Sequence, residues 1–276
     1  MDNQYQKYSG TGNKFIIFNN LEGNISNHSD TVLNLFEDGS NAEIDGVIFV
    51  EKSISGDFWM NYYNKDGTGN SLCGNGLRCT VQYLRDNGLT ENNELQIESV
   101  GNLYKCIVLA ENLISVAFPP PNIVRADLRL KVNFSGWGED LKCSYVDVGS
   151  PHIVIFIDRL QKQELNTLEE VNVEEWGREI RMHKDLLPDG ANVNFVQLLD
   201  SVNSEIAMRT YERGVERETL ACGTGALSSG LISFIIKEIK PPIKILTRSR
   251  EFLTVDFKTD GNEFTELTLA GKAVRL

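Results

Sequence analysis

The chain has 276 residues and a mass of 31.0 kDa, a length that suits two domains of about 100–150 residues each. Its 39 acidic and 27 basic residues give a net charge of −12, which argues against nucleic acid or an anionic membrane surface as a partner. An apolar share of 41% and a charged share of 24% are ordinary for globular proteins and argue against disordered and fibrous classes.

The first residues lack the apolar core of a signal peptide, and the longest apolar runs are far shorter than the roughly 20 residues of a membrane helix. We therefore predict a cytoplasmic protein. Its five cysteines are an odd number, and in a reducing compartment they are expected as thiols. Neither a CxxC pair nor a His/Cys cluster indicates zinc, so no metal is predicted.

In chain order, the first half is rich in short β-branched and aromatic runs separated by Gly, Asn and Asp. These runs predict strands at Lys14–Asn19, Asp45–Val50, Phe58–Tyr63, Leu95–Ser99, Tyr104–Leu109 and Ile114–Phe118. One helix interrupts them: helical spacing predicts that it begins near Cys73 and ends at Asp86-Asn87-Gly88.

Three prolines at Pro119–Pro121 force an extended backbone and predict a domain boundary. Beyond them, strands are predicted at Ser144–Val148, Ile153–Asp158, Asn192–Leu199, Ser204–Thr210, Ile243–Thr247, Leu253–Lys258 and Glu266–Ala270. An apolar helix is predicted from about Gly223 to Ile235, closed by Pro241-Pro242, and a surface helix without chemistry over Leu165–Arg181.

A repeat spans the two halves: the segment Cys73-Gly74-Asn75-Gly76 in the first corresponds to Cys222-Gly223-Thr224-Gly225 in the second. Each copy stands at a predicted helix start. The repeat predicts an α+β fold of two pseudo-symmetric β-rich domains, each a barrel-like sheet around a central helix, with the active site in the cleft between them. Residues 1–119 are predicted to form the first domain and residues 120–265 the second.

A cysteine at a helix N-terminus lies at the positive end of the helix dipole, which favours the thiolate and makes the group a proton acceptor. Cysteine is also commonly a small buried hydrophobe, and a single Cys-Gly at a helix start is usually structural. The matching copies favour catalysis at Cys73 and Cys222, although a disulfide between them remains an alternative. The other three cysteines, Cys79, Cys106 and Cys143, have no such surroundings and are interpreted as packing residues.

Glycines beside the two thiols allow close backbone approach, so the N–H groups of Gly74, Asn75, Gly223 and Thr224 are predicted to bind a carboxylate. Two thiols on opposite sides of an α-carbon could remove one proton and deliver another, and so invert the centre without a cofactor. This chemistry is that of an amino-acid racemase or epimerase.

The sequence resembles the diaminopimelate epimerase family over nearly its whole length. The resemblance is carried by blocks in family order: Tyr8-Ser9-Gly10-Thr11-Gly12-Asn13, Asn64-Lys65-Asp66-Gly67 leading to Cys73–Cys79, Gly149-Ser150-Pro151-His152, Asn192-Val193-Asn194-Phe195, and Tyr211-Glu212-Arg213-Gly214 leading to Ala221–Gly225. It implies epimerisation of LL-2,6-diaminopimelate to the meso isomer, in lysine and cell-wall precursor synthesis. The family's fold also implies that a last strand over 266–276 joins the first domain.

The resemblance also implies site residues. Cys73 and Cys222 would be the acid/base pair, His152 would tune their ionisation, and the distal amino-acid end would be held by Asn13, Asn64, Asn192, Glu212 and Arg213. Among these, Arg213 suits the distal carboxylate and Glu212 an ammonium group. Family members are commonly homodimers, so a homodimer is expected.

Departures from the family pattern bear on substrate choice. Lys14 stands where the family usually has an acid, and Ser150 replaces an asparagine that contacts the distal carboxylate. The shorter Ser150 hydroxyl would reach that carboxylate through water or miss it. Two alternatives therefore stay open: a proline-type or other amino-acid racemase using the same thiols, and a non-catalytic amino-acid-binding or thiol-sensing protein.

Overall fold

The computed structural model describes residues 5–134, 137–160, 165–261 and 263–276. The chain separates into two compact units: Met1–Phe118 with Ala270–Leu276, and Pro119–Leu269. Each unit has a sheet that surrounds one central helix.

The first unit is a closed barrel of eight strands. In chain order these are β1 (Tyr5–Gly10), β2 (Asn13–Asn19), β3 (Gly46–Glu51), β4 (Phe58–Asn64), β5 (Glu94–Ser99), β6 (Asn102–Ala110), β7 (Leu113–Ala117) and the end of β16 (Glu263–Arg275). Neighbours in this order are hydrogen-bonded, and β16 also pairs with β1 to close the barrel. Closure leaves no strand edge exposed.

Helix α2 (Gly74–Asp86) forms the centre of this barrel. Its residues from Asn75 to Leu84 are all buried, and it contacts β1, β2, β3, β4, β6 and β7. The Asp86-Asn87-Gly88 stop signal is confirmed, because Asn87 caps the helix and Gly88 has a φ of +65° that suits glycine. A shorter helix, α1 (His28–Phe36), packs against β4.

The second unit repeats this arrangement. Its strands are β8 (Ile123–Phe134), β9 (Trp137–Asp147), β10 (Pro151–Phe156), β11 (Asn192–Asp200), β12 (Glu205–Glu212), β13 (Arg217–Thr219), β14 (Ile243–Leu246), β15 (Phe252–Asp260) and the first part of β16. They pair in the order β8-β9-β10-β11-β12-β14-β15-β16, with β13 beside β12. Helix α4 (Gly223–Lys237) contacts all of them from β8 to β12, and also β14 and β15.

The strand directions show that the two units share one topology. In the first, β2 and β3 are parallel, β3 and β4 antiparallel, and β4 and β5 parallel across α2. In the second, β10 and β11 are parallel, β11 and β12 antiparallel, and β12 and β14 parallel across α4. The predicted α+β fold with a sheet around a central helix is therefore confirmed, and each Cys-Gly-x-Gly segment leads into the same helix of the repeat.

The predicted surface helix over Leu165–Arg181 is wrong in extent. The chain forms a 3₁₀ turn at Leu168–Glu170 and then α3 (Val173–Arg181), because Thr167 and Asn172 each cap a separate start. Helix α3 buries Val173, Trp176 and Ile180 against the second sheet, so its acidic residues cover one face only. Two further 3₁₀ turns lie at Ile157–Arg159 and Lys184–Leu186.

Some elements were not predicted, chiefly β1, α1, β8 and the first part of β9. The sequence of β8 alternates apolar and polar residues from Val124 to Phe134, and this period of two was the signal that could have identified the strand. By contrast, β1 is mostly polar and is a strand because it pairs with β2 and β16. Helix α4 ends at Lys237, before the prolines predicted to close it.

Within the described ranges, no helix combines the length and the apolar character that crossing a bilayer would require.

Gly177 on α3 gives a test of how closely this helix packs on β12. A Cβ added at Gly177 would overlap the Cβ and Cγ of Tyr211, which is fully buried. We expect Gly177→Ala to lower the free energy of unfolding by about 1–3 kcal/mol through overpacking, despite the higher helix propensity of alanine. Urea denaturation measures the change. Glu179→Ala, at an exposed position of the same helix, should change it by less than about 0.5 kcal/mol, and equal effects would contradict the packing.

Candidate active site

Cys73 is the N-cap residue of α2. Its backbone is extended, with φ −128° and ψ 103°, and its Sγ accepts a hydrogen bond from the Gly76 N–H at 3.3 Å. Cysteine is not among the preferred N-cap residues, so the thiol takes a place usually held by an oxygen side chain. The positive end of the helix dipole favours a negative charge on this sulfur.

The side chain of Asn75 accepts a hydrogen bond from a buried cation. Arg78, fully buried one turn later in α2, donates from Nη2 to Asn75 Oδ1 at 2.6 Å and to Thr11 Oγ1 at 3.0 Å. Asn75 Nδ2 in turn donates to Asn13 Oδ1, and Asn13 Nδ2 donates to Asp45 Oδ2 at 3.2 Å. Two residues predicted to bind substrate, Asn13 and Asn75, thus lie in contact.

Asn64 occupies the same end of the barrel as Asn13. It is the last residue of β4 and pairs with Gly46, the first residue of β3, while Asn13 is the first residue of the parallel strand β2. Its amide accepts from the Tyr62 hydroxyl and donates to Thr68 Oγ1, each at 3.1 Å. At Lys14, which stands where an acid is usual in the family, the backbone N–H donates to Asp45 Oδ2 at 2.9 Å.

Cys222 is the corresponding N-cap of α4, with φ −123° and ψ 114°. It is 6% exposed, and its Sγ lies 3.5 Å from Thr224 Oγ1. The first N–H groups of an α-helix have no partner within the helix, so those of Gly223 and Thr224, like those of Gly74 and Asn75, point toward an incoming acceptor. The geometry of a thiol beside helix N–H donors is therefore repeated in both units.

The second glycine of each motif lies close to side chains of the sheet. A Cβ at Gly225 would overlap Asn194 Oδ1, and one at Gly76 would lie 3.2 Å from Ile48 Cδ1 and 3.4 Å from Met60 Sδ. Each helix start therefore rests directly on the strands beneath it.

His152 lies fully buried behind Thr224. One ring nitrogen, Nε2, is 2.9 Å from Thr224 Oγ1, and the other, Nδ1, is 3.0 Å from Asn194 Nδ2. Burial, together with the positive charge of Arg213, lowers the pKa of His152 to about 3. The imidazole is therefore neutral at pH 7.

Asn192 forms hydrogen bonds to two other residues considered for the site, Ser150 and Arg213. Its Nδ2 donates to Ser150 Oγ at 2.9 Å and to the Pro151 carbonyl at 3.0 Å, and its Oδ1 accepts from the Arg213 backbone N–H at 2.8 Å. Ser150, which stands where the family has an asparagine, thus contacts Asn192. Arg213 is half-buried, and its Nη1 donates to the Asp189 carbonyl at 3.3 Å.

Glu212 ends β12, where it is half-buried and accepts from Thr219 Oγ1 at 2.9 Å. Asn192 begins the neighbouring strand β11, so these two residues share one end of the second sheet with His152 at the start of β10. The strand ends that carry Asn13, Asp45 and Asn64 in the first unit carry polar residues again in the second.

Asn194 is a site residue to which the sequence analysis assigned no role. It lies two residues after Asn192 on a buried strand, so both side chains point to the same face. A second asparagine two residues after the first, in a strand that is otherwise apolar at its start, was the signal that could have identified it.

The other three cysteines are buried, and two of them are unsuited to proton transfer at neutral pH. Burial raises the pKa of Cys106 and that of Cys143 to about 12, and Cys79 is buried on α2 against Gly10. Across the described parts of the chain, His, Cys, Asp and Glu do not cluster in a group of three that could hold a metal ion.

Comparison with known proteins identifies the family. Residues 5–124 and 144–275 match the diaminopimelate epimerase family model. The chain is 34% identical over 251 residues to the diaminopimelate epimerase of Chlorobaculum tepidum, covering 90% of this chain and 91% of that protein.

Solved structures share the fold at low sequence identity. A phenazine biosynthesis protein of the PhzF family from Bacillus anthracis superposes with a TM-score of 0.72 at 16% identity, covering 99% of this chain and 96% of that one. A hydroxyproline epimerase from Agrobacterium vitis gives 0.64 at 17%, covering 99% and 90%. The family match spans both units and both thiol motifs, and on that ground this chain belongs to the diaminopimelate epimerase family of isomerases.

Proposed function

We propose that the protein interconverts LL- and meso-diaminopimelate by proton transfer between the substrate and two thiols, Cys73 and Cys222. The observation that carries the proposal is the repeated N-cap position: each thiol begins the central helix of its unit, beside helix N–H donors. A thiol in this setting can act as a base when ionised and as an acid when protonated.

The proposed reaction breaks one C–H bond and forms another. One sulfur, as thiolate, takes the α-proton, and the electron pair of the broken bond delocalises into the adjacent carboxylate. The other sulfur, as thiol, donates its proton to the opposite face of the α-carbon. Each turnover exchanges the protonation states of the two sulfurs, so the forward and reverse reactions start from opposite states.

The helix starts would stabilise the charge that develops in this step. The N–H groups of Gly74, Asn75, Gly223 and Thr224 are proposed to donate to the reacting carboxylate, whose negative charge increases as the proton leaves. This arrangement needs no cofactor, since the electron pair moves into a group that the substrate itself carries.

The distal amino-acid end would be recognised by charge. We assign its carboxylate to Arg213 and its ammonium group to Glu212, both half-buried at the end of β12. Asn13 and Asn64 lie at strand ends of the first unit and Asn192 at the start of β11 in the second, and hydrogen bonds within each unit already orient their amides. We propose that these amides also contact the distal end. Ser150 would act on this end through its contact with Asn192.

His152 has no proton-transfer role in this proposal. A pKa of about 3 leaves the ring without a second proton throughout the neutral range, so the ring serves as a hydrogen-bonding group.

The family name indicates a place in lysine biosynthesis and cell-wall precursor supply, which we propose here. A homodimer and a cytoplasmic location stay predictions from the sequence; analytical ultracentrifugation of the purified chain tests the first.

Hydrogen exchange tests the substrate assignment. We expect the reduced protein in deuterium oxide to incorporate deuterium at the α-carbon of LL-diaminopimelate and to form the meso isomer, as followed by NMR and chiral chromatography. A distal carboxylate and ammonium are needed for binding, so proline and one-headed amino acids should not exchange. Exchange into proline alone would instead support a proline-type racemase, and binding without exchange would support a non-catalytic protein.

Single cysteine variants test the two-thiol chemistry. Cys73→Ser and Cys222→Ser should each lower kcat by about 10²–10⁴-fold, because a hydroxyl is a much weaker acid and base than a thiol. Cys143→Ala removes a buried thiol whose pKa is about 12 and serves as the control with near-normal kcat. Near-normal activity of either serine variant, with a native circular dichroism spectrum, would contradict the mechanism.

Stability against pH tests the protonation state of His152. The unfolded chain binds a proton at this histidine below about pH 6.5 whereas the folded chain does not until about pH 3, so acid favours unfolding. Replacing it in His152→Gln should reduce the slope of unfolding free energy against pH by about 1.4 kcal/mol per unit between about pH 4 and pH 6. Equal slopes for the two proteins in urea titrations would show that His152 is not held neutral.

A further inference from the structure

A row of three polar side chains leads from the interior of the second unit to the Cys222 sulfur. Asn194, His152 and Thr224 are joined by contacts of 3.0 and 2.9 Å, and Thr224 Oγ1 lies 3.5 Å from Cys222 Sγ. The direction of each hydrogen bond in the row follows from the partners at its buried end.

The amide of Asn194 has one allowed orientation. Its Nδ2 lies 3.0 Å from the Ile153 carbonyl oxygen, which can only accept, and its Oδ1 accepts from the Thr210 hydroxyl at 2.9 Å. Rotating the amide by half a turn would bring two oxygens within 3.0 Å of each other in a buried place. The atom that faces His152 is therefore a donor.

This donor fixes the tautomer of His152. The Asn194 N–H occupies the lone pair of Nδ1, so the single proton of the neutral ring is on Nε2. Asn192 Nδ2 also lies 3.4 Å from Nε2, but its two hydrogens are directed to Ser150 Oγ and the Pro151 carbonyl. Arg213 is the charged group that acts on this ring, and its positive charge opposes a second proton.

The Nε2–H then determines where the Thr224 hydroxyl points. Nε2–H donates to Thr224 Oγ1 at 2.9 Å, so the hydroxyl hydrogen cannot be directed back to the ring. The sulfur of Cys222 lies 3.5 Å from Oγ1 on the other side, and as a thiolate, which has no proton to donate, it can only accept from this hydroxyl. Cys73 receives the equivalent hydrogen bond from the backbone N–H of Gly76.

We propose that Asn194 is a positioning residue which, through the His152 tautomer, keeps the Thr224 hydroxyl directed at Cys222 and so stabilises the thiolate of that cysteine. This inference rests on the proposed function for its catalytic meaning. It adds a side-chain donor, the Thr224 hydroxyl, for Cys222, whereas the donor for Cys73 is the backbone N–H of Gly76.

The tautomer is tested directly by nitrogen NMR of the reduced protein labelled at histidine. The chain has three histidines, and His152→Gln identifies the resonances of the one in question. We expect a neutral ring with the proton on Nε2, unchanged from about pH 5 to pH 8. A ring protonated on Nδ1, or a ring that titrates in this range, would overturn the proposal.

The link to the sulfur is tested by the pH dependence of Cys222 alkylation with iodoacetamide, followed for each cysteine by peptide mass spectrometry in the presence of a phosphine reductant. Thr224→Val removes the hydroxyl at nearly constant shape, and we expect it to move the midpoint for Cys222 to higher pH by about one unit. Thr224→Ser keeps the hydroxyl and should keep the midpoint. Cys73 in the same molecule is the internal reference.

Asn194→Leu is the second variant. It removes the donor to His152 Nδ1, so the ring proton is no longer restricted to Nε2. Where this variant folds, the midpoint pH of Cys222 alkylation should also move to higher pH. An unchanged midpoint in Thr224→Val would overturn the proposal even if Asn194→Leu does not fold. Neither readout uses diaminopimelate or turnover. The role of Asn194 and His152 can therefore be confirmed even if diaminopimelate is not the substrate, and contradicted even if it is.

Discussion

Hydrogen bonding of a cysteine at the N-cap of a buried helix is the interaction on which the candidate site depends in each unit. We call each of these cysteines, with the polar residues around it in its own unit, a half-site. The N-cap residue must be extended while the next residue is helical, and this geometry directs its side chain across the first N–H groups of the helix. Cys73 and Cys222 have nearly the same backbone angles, and each side chain has a hydrogen-bonding partner in the first turn of its helix. Each unit thus places a thiol beside the N–H groups at the start of its central helix.

The sheet determines which residues surround each thiol. Parallel strands joined by a crossover helix begin and end at the same places in both units, so the starts of β2 and β3 and the end of β4 correspond to the starts of β10 and β11 and the end of β12. Polar residues at these strand ends can contact a ligand without interrupting the apolar core. The duplicated topology therefore provides two sets of polar residues from one architectural plan.

The two half-sites differ in what supports them. In the first unit, the buried guanidinium of Arg78 orients Asn75 from within the helix. In the second, a neutral histidine and Asn194 lie beneath Thr224. A buried cation raises the positive potential at its helix start, whereas a neutral ring can only pass on the direction of a hydrogen bond. The repeated fold thus allows each helix start to be tuned by different chemistry.

The sequence by itself determined the features that local chemistry sets. The starts of α2 and α4 at Cys73 and Cys222 follow from glycine placement and helical spacing within a few residues, and the repeat of the motif indicated the duplicated fold. The end of α2 at Asn87 was likewise set by its own stop signal. At Leu165–Arg181 the prediction overlooked two local signals, the cap residues Thr167 and Asn172, which divide the segment into a 3₁₀ turn and a helix.

Only the tertiary structure decided which polar groups meet. Asn194 and His152 are 42 residues apart and contact each other because β10 and β11 pair in one register, and Asn75 meets Asn13 because α2 lies within the barrel. Burial of the ring and the nearby charge of Arg213 likewise made His152 neutral, which a lone histidine in a sequence does not reveal. Register and burial are properties of the assembled sheet, so no local pattern of residues could have specified them.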